Sequence, residues 1–73
     1  MDRAAIDPAI KAILSEIARL TADAARIGKA AEACARAGSI AEGVTVSMDI
    51  EQILYEAGRL QDAASLLNRL SAE

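Results

Sequence analysis

The chain is 73 residues long and carries 8 basic and 11 acidic side chains, no histidine, a single cysteine and a single aromatic residue, Tyr55. A chain this short holds one domain, and its hydrophobic core is marginal unless a disulfide, a metal or a partner adds to it. Cys34 alone cannot form an internal disulfide, and without histidine the mixed Cys/His zinc frameworks are excluded, which leaves association with another chain.

The net charge of −3, with no cluster of Lys or Arg, argues against nucleic acid as a partner, because phosphate binding needs a basic surface. No apolar run reaches the length that spans a bilayer, so no membrane partner is expected. Met1-Asp2-Arg3-Ala4 opens with mixed charge and no apolar segment, so no secretory signal is visible and a cytoplasmic location is expected.

Asp7-Pro8 reads as a helix start, since Asp caps free amides and Pro has the φ of a first turn. Residues before it are expected to fray or turn. Good helix formers then run to Ala37, predicting a helix over 8–37 about 40 Å long. Along it Ile6, Ile10, Ile13, Ile17, Leu20, Ala24, Ile27, Ala31 and Cys34 step alternately by four and three residues. This is a heptad seam, with Ile6, Ile13, Leu20, Ile27 and Cys34 at d-like positions and Ile10, Ile17, Ala24 and Ala31 at a-like ones. Glu16/Arg19, Arg19/Asp23 and Glu32/Arg36 are spaced to pair on the solvent side, each pair contributing a few tenths of a kcal/mol. Ala24, Gly28, Ala31 and Ala35 give the second half of the helix a face of small side chains. A glycine inside a helix costs about 1 kcal/mol relative to alanine, so Gly28 points to close approach of another backbone.

Gly38 occupies the position of a left-handed C-cap. The connector 38–47 has two readings. Ser39-Ile40-Ala41-Glu42 has capping-box spacing, so a helix could begin at Ile40; alternatively the β-branched stretch Val44-Thr45-Val46 is extended and Ser47 or Asp49 caps the next helix. Over 48–72 the seam resumes with Ile50, Ile53, Ala57, Leu60, Ala64 and Leu67, flanked by Leu54, Leu66 and Leu70. Gly58 lies either inside one helix or in a turn between two. Ala37-Gly38-Ser39-Ile40-Ala41-Glu42-Gly43 is echoed by Ala57-Gly58-Arg59-Leu60-Gln61-Asp62-Ala63, which favours a break at Gly58.

The stretch from Leu54 through Gly58 and Ala63 to Leu67 and Leu70 resembles the helix-turn-helix middle of a tetratricopeptide repeat, with departures at Ser47 and Glu51. The resemblance covers about a third of the chain, and it implies a protein-interaction role and a turn at Gly58. Ser47-Met48-Asp49 resembles the attachment site of acyl carrier proteins, although Val46 stands where that family has Asp and too few residues follow for the remaining carrier helices. The structural reading of Ser47 is a helix cap. Cys34 lies on the apolar seam without a cationic activator and reads as a small buried residue rather than a nucleophile. Asp49, Glu51 and Glu56 read as acids placed by the helix dipole rather than as metal ligands.

These features predict a single all-α domain, a helical hairpin or three-helix chain with a long first helix, that dimerises into a four-helix bundle. The surplus apolar residues beyond one contact line, notably Leu14, Leu54, Leu66 and Leu70, call for a second copy. The expected interface comprises Ile10, Ile13, Leu14, Ile17, Leu20, Ala24, Ile27, Gly28, Ala31, Ile50, Ile53, Leu54, Leu60 and Leu67. No catalytic residue, metal ligand or cofactor is expected. The expected function is that of a non-catalytic interaction module, a small adaptor or accessory subunit that acts as a homo-oligomer, with itself as first partner and another protein as second. The alternative is a carrier-type protein or minor enzyme using Ser47 or Cys34.

Overall fold

The computed structural model describes residues 2–72. Three helices follow one another: α1 over Arg3–Arg36, α2 over Ile40–Ser47 and α3 over Asp49–Ser71. The long α1 forms one arm of a hairpin, and α2 with α3 forms the other, bent at Met48. No strand occurs among the described residues.

Asp7-Pro8 does not start α1. The helix begins five residues before Pro8, where the Asp2 carboxylate accepts from the Ala4 amide at 3.0 Å. Proline this early in a helix removes one backbone bond, and three contacts hold the first turns in spite of it. Arg3 pairs with Asp7 at 2.9 Å and reaches Ser71 on the other arm, while Ile6 is buried. The seam therefore reaches to the end of the helix, and packing outweighs the cost of Pro8.

The C-terminus of α1 follows its sequence. Gly38 has φ +90°, the Ser39 amide donates to the Cys34 carbonyl at 2.9 Å, and the Gly38 amide donates to Ala35 at 3.0 Å. This pair of bonds is a Schellman closure, which satisfies carbonyls that the helix end would leave bare.

Of the two readings of the connector, the helical one holds and the extended one does not: 40–47 is helical despite Val44, Thr45 and Val46. The capping box itself does not form. Ser39 makes no side-chain cap bond, and its amide, which Glu42 would have to accept from, already donates to Cys34. What holds α2 is contact with α1. A Cβ built on Gly43 would lie 2.8 Å from the Ala31 carbonyl oxygen, 3.5 Å from the Ala35 amide nitrogen and 3.6 Å from the Cys34 Cβ. The small side chains at Ala31 and Ala35 thus admit a neighbouring backbone, and the glycine that enters is Gly43.

Ser47 caps nothing. Its hydroxyl donates back to the Val44 carbonyl at 2.6 Å, as Thr45 Oγ1 does to Ala41 at 3.2 Å, and Met48 stays in the right-handed helical region. Hydroxyls bonded to helix carbonyls loosen the ladder, and these two lie beside the break between α2 and α3 at Met48. Gly58 lies inside α3, so neither the turn implied by the tetratricopeptide resemblance nor the echo of Gly38 survives. The difference is physical: at Gly38 the chain must reverse, whereas the apolar seam runs uninterrupted past Gly58.

That seam is where the two arms meet. Every seam position of α1 from Ile6 to Cys34, and of α3 from Ile50 to Leu67, is buried or half-buried. The core is thin: Ile6, Leu20, Ala57 and Ala64 are the buried hydrophobic side chains among the described residues. The hairpin measures 55 × 14 × 11 Å, and its radius of gyration of 16.8 Å exceeds the roughly 11 Å expected of a compact chain this long.

Candidate functional site

An antiparallel helix pair with a heptad seam has two edges, one lined by the residues that follow each d position (e) and one by those that precede each a position (g). On the g edge lie Glu16 and Asp23 of α1 and Glu56 of α3. Glu16, Leu20, Glu56, Arg59 and Leu60 line a shallow groove there, which confirms that like-lettered flanks of the two arms share a side. Arg19 Nε bonds both Glu16 oxygens at 3.1 Å and Nη1 reaches Asp23 at 3.3 Å, while Arg26 also pairs with Asp23. The hydrogen bond from Arg19 holds the Glu16 carboxyl below its ordinary pKa and raises that of Arg19. The pairs anticipated at Glu16/Arg19, Arg19/Asp23 and Glu32/Arg36 are all present, the last at 3.5 Å. This edge is a solvated charge ladder.

The e edge differs in kind. It carries Leu14, Thr21, Gly28 and Ala35 on α1, and Leu54, Gln61 and Asn68 on α3, with Asp7 its only charge. Leu14 is 54 % and Leu54 51 % exposed. Leu14 lines an open groove with Ile10, Lys11, Ser15 and Ala18, closed at one end by Arg3 and Asp7. Gly28 has nothing within 4 Å of where its Cβ would stand, and the same is true of Gly58. Gly28 therefore marks no close approach inside the hairpin.

The expected interface residues divide accordingly. Ile10, Ile13, Ile17, Leu20, Ala24, Ile27 and Ala31 of α1 line the seam that α1 turns to the other arm, and Ile50, Ile53, Leu60 and Leu67 line its counterpart on α3. Leu14, Leu54 and Gly28 lie outside it on the e edge. On the outer surface of the second arm, Ile40, Val44, Met48, Tyr55 and Leu66 are also exposed, with Arg59 stacked 5.8 Å from the Tyr55 ring centre. Gly43 is the structural residue that sequence reasoning missed. The stripe of Ala31 and Ala35 signalled a close contact but not which glycine would fill it.

Cys34 is half-buried between α1 and α2, and Ser47 is half-buried with its hydroxyl bonded to backbone. No group of three or more potential metal ligands occurs among the described residues, and none of their helices is long and apolar enough to cross a membrane. No protein-family model, curated protein or solved structure matches the chain.

Proposed function

We propose that this protein is a non-catalytic helical interaction module that works as a homodimer, two hairpins forming a four-helix bundle in a reducing compartment, and that the assembled bundle serves as an adaptor or accessory subunit. The observation that carries the reading is unfinished burial. The accessible surface of 5172 Å² exceeds the roughly 4,300 Å² expected of a compact 7.6 kDa monomer. The excess of roughly 900 Å² matches the ~800 Å² that one partner contributes to an interface of standard size. Leu14, Leu54 and Leu66 belong to that excess.

Absolute mass by light scattering after size exclusion, paired with far-UV circular dichroism, tests this. A helical species of twice the chain mass supports it. A well-folded monomer that persists across the accessible concentration range contradicts it.

A further inference from the structure

The dimer reading leaves open which helix covers which, and the e edge of α1 answers that. Resting on that reading, we infer that the second copy lies with its α1 antiparallel across the first copy's α1, the two-fold axis passing at Thr21, so that the two hairpin loops point to opposite ends of the bundle.

A two-fold interface must be self-complementary, since residue i meets residue j and j meets i. Along the exposed side of α1 the e positions alternate with the b positions beside them. Reversing α1 about Thr21 brings Leu14 opposite Gly28 of the second copy, a large side chain against an open helix surface where nothing stands within 4 Å. Within one residue of that register, about 1.5 Å along the helix, Ala18 comes level with Ala25 and Lys11 with Glu32. Bulk faces a gap, small faces small, and a cation faces an anion, each pairing occurring twice.

The other arm agrees to within two residues. Arg3 against Ser71 and Ala31 against Gly43 set the register within the hairpin, which puts Leu54 level with Leu20, one residue from the axis. The same axis therefore brings Leu54 to within about 3 Å along the helix of Leu54 of the second copy, with the bare surface of Gly58 beside it. Stacking α1 on the second copy's α3 instead would set Leu14 against Gln61 and leave the surface at Gly28 unmatched. Charge does not oppose the chosen packing, because the e edge between Leu14 and Ala35 and between Leu54 and Asn68 carries no ionised group.

Spin labels decide the arrangement. Ser39 is exposed and makes no side-chain cap bond, so Ser39→Cys in a Cys34→Ala background gives one label per chain at the loop while keeping the Cβ that Gly43 approaches. Ser39 lies about 27 Å along the helix from Thr21 at 1.5 Å per residue, so the two labels should be roughly 50 Å apart. Pulsed dipolar spectroscopy of the full chain, run at a concentration where its mass is measured, reads that distance. A dimer mass with a distance near 50 Å supports the arrangement; a dimer mass with a distance below about 25 Å overturns it, because the loops then share one end. A monomer mass with no dipolar coupling overturns the dimer reading itself.

Discussion

Replacing Gly43 with alanine sets two quantities of known sign against each other. In a helix interior alanine is favoured over glycine by about 1 kcal/mol. Here the added methyl would stand 2.8 Å from the Ala31 carbonyl oxygen, about half an ångström inside ordinary contact. The obstacle is backbone of another helix and cannot rotate away, so α2 must lift from α1. Overpacking of this kind costs about 1–3 kcal/mol, and the lift also loosens the contacts of Cys34 and Ala35. The net expectation is a loss of about 1 kcal/mol, and about 5 °C in Tm for a chain of this size. Thermal and urea unfolding followed by circular dichroism measure it, with Ala41→Gly as the reference for helix propensity, since Ala41 is exposed in the same helix. A Gly43→Ala variant more stable than the parent would refute the close α1–α2 approach.

Further variants probe the other contacts. Gly38→Ala places a side chain at φ +90° and should cost about 1 kcal/mol in urea unfolding, because the left-handed region penalises a Cβ. Leu20→Ala should cost about 2–3 kcal/mol, the lower part of the range for buried leucines, because the core around it is thin; an unchanged midpoint would mean that the seam is not where the arms meet. Lys11→Glu should weaken dimerisation roughly tenfold by setting two like-charged pairs across the interface, and Lys11→Glu with Glu32→Lys should restore it. These residues sit 21 positions apart on one straight helix, so recovery reports contact between copies, and a double variant no tighter than the single one would count against the pairing. Gly28→Ala should stabilise an isolated hairpin by about 1 kcal/mol but loosen the dimer by filling the space opposite Leu14, and sedimentation velocity separates these outcomes.

What was legible in the sequence was set by periodicity. The alternation of Ile, Leu and Ala by three and four residues marked both faces that meet in the hairpin, and Gly38 marked where the chain reverses. The departures from the sequence pattern share a cause: tertiary contact outweighs local signals. Asp7-Pro8 has the chemistry of a helix start, yet Ile6 and Arg3 find partners on the far arm and carry the helix to Asp2. Val44, Thr45 and Val46 favour extension, yet Gly43 against Ala31 makes a helix there the better packed choice. Glycine's role could not be assigned from sequence either, since Gly28, Gly43 and Gly58 all lie in helices and only Gly43 meets a backbone. The e edge was visible only as surplus leucine, because its meaning depends on which flanks of the two arms share a side.

The claim that the hairpin is completed by a second copy is tested most directly by urea unfolding at protein concentrations a hundredfold apart. Folding coupled to dimerisation gains about 2.7 kcal/mol per dimer over that range, which at a slope of about 1 kcal/mol/M per chain raises the midpoint by about 1 M. The account predicts that rise. A midpoint independent of concentration, with native helicity throughout, would show that the hairpin stands alone and would contradict it.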